Sequence, residues 1–547
     1  TLDNVRLWDE VPLKQTFSQL QEIRLYYEFP GIDVDRYMVD GKLRQVMLSV
    51  RELNTSRLSD QAQTWLNRHL VYTHGYGVCM SPVNEVTPEG LPKFYIKDLP
   101  PVSAIDAVIT RPEIYFGEKA SDYAIVNTHE EEFDYPKGNN NVYTQYNGRG
   151  GILIDRYYKR LLFALKLRDI NLLISPQITR NSRLLMNRTV TELLQALAPF
   201  LTFDSDPYLV ITDQGRLVWM IDAYTTSSTY PYSEPDTDGI NYIRNSVKAT
   251  IDAYNGTVRF YVTDPKDPII ATYKRIFPRL FRPADDMPAS IKSHMRYPRD
   301  LFTRQVSMYC TYHMQDPQVF YNREDVWALP QETSEKGQQT MAAYYIVSRL
   351  PHDPRESFML MMPFTPTDKN NMIAWMSANC DGADYGKLTV FRFPKEKTVF
   401  GPMQIESRID QDTEISQHFT LWSQVGSRVI RGNLMVIPIE DALIYVEPIY
   451  LQAIQSKLPE LKRVVFAYND QVVMEETLNE AISRVFRGTP ANPAETDHIK
   501  PENEMIWGMI ATEFKRLKQS AKTASWVAFG EAIQEIESLI KQWEGGN

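Results

Sequence analysis

Several pairs of apolar runs in this chain are separated by short polar segments, and this pattern predicts β-hairpins. The clearest pair is "VDRYMVDGKLRQVMLSV", in which Asp40-Gly41 is a dipeptide typical of tight hairpin turns. Similar pairs occupy residues 208–227 around Gly215, residues 344–367, and residues 434–452 around Glu440-Asp441. Two explanations fit the similarity. It reflects either a recurring hairpin unit without a fixed period or chance, because half-buried strands favour the same residue types.

Segments with apolar residues at helical spacing lie between the hairpins. This spacing predicts helices in residues 11–29, 151–174, 182–201 and 240–256. In the last of these, Ile243, Val247, Ile251 and Tyr254 would share one helix face. The polar stretch 331–341 predicts an exposed loop.

Together these elements predict an α+β fold. Its sheets would be mixed, mostly antiparallel and built from recurring hairpins, with interleaved helices and a C-terminal helical hairpin. The 547 residues suit several domains. We predict an N-terminal α+β domain (1–202), a hairpin and helix domain (203–335), and a C-terminal β-rich α+β domain (336–487). A Pro-rich linker (488–504) and the helical hairpin (505–547) would follow.

The overall charge argues against nucleic-acid binding. The chain has 59 basic and 69 acidic residues, a formal net charge of −10, whereas nucleic-acid binders need a basic field. The three cysteines are far apart and predict neither a disulfide framework nor a structural zinc site. No apolar run approaches 18 residues, and the chain begins with Thr1 rather than Met. We therefore expect a piece of a longer protein.

The loop "LVYTHGYGVCMSPVNEVTPEGLP" carries the first candidate for chemistry. His74, framed by small residues, could act as a general base, with Cys79 nearby. The glycines favour the alternative of a tightly packed loop without a chemical role. An acidic segment, "NTHEEEFDYP", offers His129, Glu131 and Asp134, which could hold a divalent cation such as calcium. The spacing matches no EF-hand pattern, and a solvated acidic turn is the favoured explanation of that segment; no cofactor motif is evident.

Residues 203–254 form the strongest candidate for a binding site. Asp222 ends an apolar strand and is followed by hydrogen-bonding residues where binding groups usually lie. On the predicted helix, one face could receive an anion or a sugar, unless its polar groups only satisfy neighbouring loops. The ligand-binding candidates are Tyr224, Thr225, Thr226, Asn241, Arg244, Asn245 and Lys248. His294 and His313 lie beside aromatic residues and are interpreted as packed core groups.

Long stretches such as "YTHGYGVCMSPVNEVTPEGLP", "DAYTTSSTYPYSE", "INYIRNSVKATIDAYNGTV" and "RYPRDLFTRQ" are distinctive. With them, the chain resembles the bacterial uncharacterised protein family 0182 from about residue 5 to 487. The resemblance implies a parent protein with N-terminal transmembrane helices, of which this chain would be the large soluble region. It also implies an extracytoplasmic location, periplasmic or at the cell surface, with anchoring to the plasma membrane through the parent. The resemblance assigns no catalytic residue to this chain, because the family has no established activity.

Three functions fit these observations. The first is a non-enzymatic module that binds a cell-envelope component or a protein partner. The second is an envelope hydrolase or transferase, with His74 paired to Asp222 or to a carboxylate in residues 129–134. The third is a structural role in assembling or gating the transmembrane helices of the parent. We favour the first, because the sequence contains no complete catalytic constellation.

Overall fold

Hairpins form most of the sheet structure of this protein. A computed structural model describes residues 2–487 except 121, 335–336, 352, 354, 395, 397, 425 and 440–441. The predicted linker 488–504, the predicted helical hairpin 505–547 and the predicted turn at Glu440-Asp441 lie outside the described residues.

The described strands range from two to twelve residues in length. In the first half they are β1 (Tyr27–Glu28), β2 (Asp33–Val39), β3 (Lys42–Val50), β4 (Glu52–Leu53), β5 (Gly75–Tyr76), β6 (Val78–Pro82), β7 (Ile96–Lys97), β8 (Val102–Ser103), β9 (Glu113–Ile114), β10 (Ala124–Val126), β11 (Glu132–Lys137), β12 (Asn140–Thr144), β13 (Ile152–Leu153), β14 (Arg183–Leu185), β15 (Thr202–Phe203), β16 (Tyr208–Ile211), β17 (Leu217–Ser227), β18 (Tyr242–Asp252) and β19 (Val258–Val262). They continue with β20 (Phe281–Pro283), β21 (Trp327–Ala328), β22 (Gln331–Ser334), β23 (Gly337–Thr340), β24 (Tyr344–Arg349), β25 (Glu356–Pro366), β26 (Ala374–Asn379), β27 (Leu388–Arg392), β28 (Ser427–Arg431), β29 (Met435–Ile439), β30 (Ala442–Ala453), β31 (Pro459–Tyr468) and β32 (Gln471–Glu475).

The helices lie between these strands. They are α1 (Glu10–Gln21), α2 (Tyr157–Leu167), α3 (Asn171–Ile174), α4 (Val190–Leu197), α5 (Pro268–Ile276), α6 (Ala289–Lys292), α7 (Arg299–Tyr312), α8 (Pro317–Asn322), α9 (Pro402–Gln411), α10 (Thr413–Gln424) and α11 (Leu478–Arg487). None of the helices among the described residues is long and apolar enough to cross a membrane.

Four larger sheets organise the strands. The first has the order β2-β3-β6-β7-β8, and the second has the order β15-β17-β18-β19-β20, with β16 also pairing β17. The third is β21-β25-β26-β27 with β24 on β25, and the fourth is β28-β30-β31-β32 with β29 on β30. The pairings within them are antiparallel except for β19 with β20. The α+β fold with mostly antiparallel sheets is therefore confirmed.

The four predicted hairpins are present as β2–β3, β16–β17, β24–β25 and β29–β30. In the first, Asp40 and Gly41 have φ values of 51° and 74°, the left-handed conformation that a two-residue turn needs at both positions. The hairpin pairs Asp33 with Leu48 and so fixes the position of Asp35 and Arg36 on β2.

The helix predicted at residues 240–256 is wrong, because most of this segment is strand β18. It pairs with β17 on one side and β19 on the other. Ile243, Val247 and Ile251 are spaced by four, and this spacing satisfies both the helical period and the alternation of a strand. Their β-branched side chains and the two neighbouring strands favour the strand.

Other predicted elements differ at their boundaries. The first helix ends at Gln21, and the segment 182–201 begins as strand β14 before α4 starts at Val190. The predicted exposed loop 331–341 contains the hairpin β22–β23. Arg168, with φ of 55°, separates α2 from α3 within the helix predicted at 151–174.

One core cluster joins the first two large sheets. Val46 and Leu48 of β3 belong to the same buried cluster as Trp219 of β17 and Ile251 of β18. By internal packing the chain divides into two units, Thr1–Ala481 and Ile482–Asn547, and the sheets named above lie in the first. The domain boundaries near residues 202 and 335 stay predictions.

Candidate functional site

A cleft of about 810 Å³ opens between strand β2, the segment 105–108, the end of β16, helix α6 and the segment 380–385. Its lining includes exposed apolar side chains, among them Met38 and Val108, which are 65% and 71% exposed. Polar residues also line it. They are Arg36, Tyr37, Asp106, Thr212, Asp213, Lys292, Ser293, His294, Asp381 and Tyr385.

His294, which lines this cleft, is oriented by a buried carboxylate. Its Nδ1 lies 2.8 Å from Oδ2 of Asp35, and its ring centroid lies 4.4 Å from that of Tyr37. Burial alone would raise the pKa of Asp35, but His294 and Arg36 outweigh this effect and lower the pKa. Asp35 is therefore held as a carboxylate, and its hydrogen bond fixes the orientation of the imidazole.

Arg36 connects three segments of the chain around the same cleft. Its Nη1 lies 3.2 Å from Oδ1 of Asp35, and its Nη2 lies 2.7 Å from Oδ1 of Asp381. The Nη2 also donates to the carbonyl of Met295 at 2.9 Å, and the guanidinium lies 4.7 Å from the ring centroid of Phe358. Two carboxylates thus compensate this buried charge. Arg36 therefore stabilises the fold and has little charge left to bind a ligand anion.

Three of the predicted site residues, Asp222, Asn245 and Lys248, lie together next to Tyr385, a residue of the cleft lining. Lys248 pairs with the cross-strand Asp222 and donates to the carbonyl of Arg296 at 2.8 Å. Asn245 donates to Asp222 at 2.9 Å. The Nζ of Lys248 lies 5.2 Å from the ring centroid of Tyr385. Asp222, Asn245 and Lys248 therefore form one network, in which both charges are buried and paired with each other.

The residues predicted after Asp222 have partners of their own. The hydroxyl of Tyr224 donates to Asp204. The hydroxyl of Thr225 donates at 2.6 Å to Asp267, the carboxylate that caps helix α5. Thr226 lies 3.3 Å, hydroxyl to hydroxyl, from Thr202. These contacts hold β17 to the elements around it.

Asn241 and Arg244 lie nearer the surface. The side-chain amide of Asn241 donates to the carbonyl of Tyr230 at 2.8 Å and closes the loop between β17 and β18. Arg244 donates through Nε to Asp264 at 2.9 Å. Arg244 and Lys248 are thus each neutralised by a different carboxylate. As a ligand site, the seven residues from Tyr224 to Lys248 stay a prediction.

His74 is fully buried in a different cluster. Its Nδ1 lies 2.9 Å from the hydroxyl of Thr73 and 3.8 Å from Glu132, and its Nε2 lies 3.3 Å from Asp134. Burial alone would lower the pKa of His74, but hydrogen bonds to Asp134 and Glu132 raise it to about 9. His74 thus has carboxylate partners from the segment 129–134, whereas Asp222 pairs with Lys248.

The glycine after His74 explains the tight loop. A side chain at Gly75 would collide with the backbone of Arg51, because β5 approaches that backbone closely. The Cys79 thiol is buried next to Arg51, and burial raises its pKa to about 11, so it is not a thiolate at neutral pH.

The three candidate metal ligands do not share a site. Asp134 contacts His74, Glu131 is exposed, and the backbone of His129 donates to the carbonyl of Gln177. Across the described residues, no group of three or more His, Cys, Asp or Glu side chains is placed to hold a metal ion.

The pairing of His294 with Asp35 was missed in the sequence. The two residues are 259 positions apart, so no local motif joins them. The only local indication is Asp35-Arg36, two charged residues in sequence inside a strand that is otherwise largely apolar. Charged residues inside a buried strand are rare unless they are paired, and they indicate a partner elsewhere in the chain.

Comparison with known proteins gives the chain its family. The model of the Uncharacterised protein family (UPF0182) matches residues 1–422. UPF0182 proteins of Desulforamulus reducens, Pelotomaculum thermopropionicum and Geobacter sulfurreducens are 51%, 50% and 47% identical over 99% of this chain. The chain spans about 60% of the length of these relatives. No solved structure matches the chain. Because the family model matches most of the chain and these relatives are about half identical to it, the chain belongs to the Uncharacterised protein family (UPF0182).

Proposed function

We propose that this chain is the extracytoplasmic ligand-binding region of a longer membrane protein. In this proposal the cleft at His294 binds a cell-envelope component rich in hydroxyl groups. The observation that carries the proposal is the cleft of about 810 Å³, whose lining combines a histidine oriented by buried Asp35 with exposed apolar side chains. Ligand sites commonly combine an apolar surface with a few fixed polar groups in this way.

The charges around the cleft favour a neutral ligand over an anion. Three carboxylates line it, Asp106, Asp213 and Asp381, against the two cations Arg36 and Lys292. Since Arg36 is already paired with Asp35 and Asp381, little positive charge remains to attract an anion. Carboxylates accept hydrogen bonds from hydroxyl groups. A sugar ring, with hydroxyls at its edge and C–H groups on its faces, fits this lining.

The membrane context of the proposal rests on the family. The chain spans about 60% of its relatives, and the family resemblance implies transmembrane helices in the remaining part. In that arrangement the transmembrane helices of the parent are the first partners of this region. The envelope component would be bound on the outer side of the plasma membrane.

The test is a binding screen with neutral oligosaccharides, such as oligomers of N-acetylglucosamine. Thermal shift identifies a ligand, and calorimetry then measures its Kd. We expect His294→Gln to weaken binding at least tenfold, because a hydrogen bond and the fixed ring are lost. His129→Gln, an exposed histidine outside the cleft lining, is the matched control and should leave Kd unchanged. Equal loss in both variants, or no sugar that shifts the melting temperature, would contradict the proposal.

A second candidate is envelope hydrolysis or group transfer, and one observation favours it. A buried carboxylate that orients a histidine at a cleft is the arrangement that general bases use. Here the pair is His294 with Asp35, and not His74 with Asp222 as the sequence suggested. Release of reducing ends from envelope glycan by the wild-type chain, abolished by Asp35→Asn, would replace binding with catalysis as the function.

A further inference from the structure

Helices α2 and α3 present an apolar surface to solvent. Their outward residues Leu161, Leu162, Leu165, Ile170 and Ile174 are between 43% and 68% exposed, and Tyr157 and Tyr158 extend the surface at the N-terminal end of α2. We call these seven residues the α2–α3 face. Positions 157, 161 and 165 and positions 158 and 162 recur every four residues, so these side chains form adjacent rows along one side of the helix.

The opposite side of α2 already packs against the protein interior. Ala164 is buried, and Phe163 and Leu167 pack against a cluster that includes Leu70 and Ile125. Helix α2 is therefore apolar on both sides. A surface helix normally carries polar residues on its outward side, and a contiguous apolar surface of this kind marks an interaction site.

Basic residues surround the α2–α3 face. Between positions 156 and 168 the chain has five basic residues and no acidic one, although its formal net charge is −10. Asp155 lies 2.7 Å from Lys159 and 3.7 Å from Arg156, and Arg160 donates to backbone carbonyls. Arg156, Lys166 and Arg168 are exposed at the two ends of α2. The positive charge is thus concentrated beside the apolar surface.

The length of α2 determines how it could meet a lipid bilayer. Eleven residues of helix extend about 16 Å, whereas the hydrocarbon core of a bilayer is about 30 Å thick. The helix is too short to span and suits an orientation parallel to the bilayer surface. In that orientation leucines enter the acyl boundary, tyrosines lie at the headgroups, and Lys and Arg meet anionic phosphates.

We propose that the α2–α3 face docks onto the surface of a bilayer that contains anionic lipid. Charge complementarity selects this partner. Anionic headgroups above acyl chains place negative charge directly beside an apolar layer, which matches the basic residues around the α2–α3 face. The inference does not depend on the ligand of the cleft, because its residues are separate from the cleft lining.

The experiment is co-sedimentation of the full chain with extruded vesicles. One set contains phosphatidylcholine with a quarter phosphatidylglycerol, and the other contains phosphatidylcholine alone. We expect binding to the anionic vesicles that weakens as salt is raised, and at least tenfold weaker binding to the neutral ones. The double variant Lys166→Gln/Arg168→Gln should lose roughly 25-fold in partition to anionic vesicles, because each charge near the surface is worth about fivefold.

A second pair of variants separates the apolar contact from folding defects. Leu162→Gln/Leu165→Gln should lose binding to anionic vesicles while circular dichroism and melting temperature stay unchanged, since both side chains are exposed. The matched control is Val11→Gln/Ile454→Gln, which alters two equally exposed apolar residues outside the face and should bind like wild type.

Three results would overturn the inference. The first is no binding to anionic vesicles at low salt. The second is equal loss in the face variant and in the control. The third is dimerisation of the wild-type chain in sedimentation velocity that Leu162→Gln/Leu165→Gln abolishes, since the face would then be a contact between two copies.

Discussion

Two histidines in this protein are bound by carboxylates, and they differ in their access to solvent. His74 lies between Glu132 and Asp134 with 0% of its side chain exposed. His294 is held by Asp35, is 8% exposed and lines a cleft of about 810 Å³. The glycine-framed loop made His74 the stronger candidate in the sequence, yet the cleft is at His294. A residue type in a suggestive motif therefore indicates chemistry only where a ligand can reach it.

The two clusters also differ in how fully their hydrogen bonds are used. Glu132 accepts from the hydroxyls of Thr73 and Tyr115, at 2.5 and 2.8 Å, and from the backbone of Tyr146 at 3.0 Å. Both ring nitrogens of His74 have partners as well. For His294, only Nδ1 is hydrogen-bonded within the part of the chain that the structure describes. The cluster around His74 therefore stabilises the fold, whereas the Nε2 of His294 is left to bind a ligand.

The largest expected effect is on stability, at the sealed cluster. Glu132→Ala should lower the free energy of unfolding by about 3–5 kcal/mol, because it leaves a buried imidazolium and several buried donors without their acceptor. Glu131→Ala, at the exposed neighbouring position, is the control and should change stability by less than about 0.5 kcal/mol. Urea unfolding measures both. Similar small losses in the two variants would contradict a structural role for Glu132.

The next effect is a pH dependence of the stability that His74 contributes. Because the folded state raises the pKa of His74 from 6.5 to about 9, its contribution is fully present below pH 6.5 and is lost as pH rises through 9. The difference in stability between wild type and His74→Gln should shrink by about 3 kcal/mol from pH 6 to pH 9.5. Taking the difference removes other groups that titrate in this window, such as Glu118, whose pKa burial raises to about 9. A constant difference across the range would show that His74 is neutral when folded.

A smaller effect is expected at the cleft. His294→Gln should lower the free energy of unfolding by about 1–2 kcal/mol, since Asp35 loses the hydrogen bond of the imidazole and keeps Arg36. Its main consequence should be on ligand binding. Lys292→Gln, an exposed residue of the same cleft, is the control and should be nearly neutral for stability. A loss as large as that of Glu132→Ala would mean that the two clusters are equivalent, contrary to our comparison.

The smallest effect concerns the ring beside His294. Tyr37→Phe removes the hydroxyl that accepts from the backbone N–H of Ile211 at 3.0 Å and keeps the aromatic contact with His294. Stability should fall by about 0.5–1 kcal/mol, because one neutral hydrogen bond is lost. Tyr321→Phe, at an exposed position, should have no measurable effect. Thermal unfolding of the two variants measures the difference. Equal melting temperatures would show that the hydroxyl of Tyr37 does not stabilise the fold.

The fold was more predictable than the candidate site. The hairpins were visible because alternation and turn residues are local properties, as Asp40-Gly41 illustrates. Strand β18 was mistaken for a helix because apolar residues spaced by four fit both periodicities. Of the predicted site residues, Asp222, Asn245 and Lys248 converge, although from neighbouring strands and not from one helix.

The sequence by itself determined which family the chain resembles, its α+β class and the positions of its hairpins, because these depend on residue patterns within a few positions of each other. Only the tertiary structure decided which carboxylate each histidine meets and which histidine lies at a cleft. Those outcomes depend on contacts such as that of Asp35 with His294, where residues hundreds of positions apart are brought together by the packing of separate sheets. Burial then decides the charge and access of each group, and burial is a property of the folded surface, which no local stretch of sequence contains.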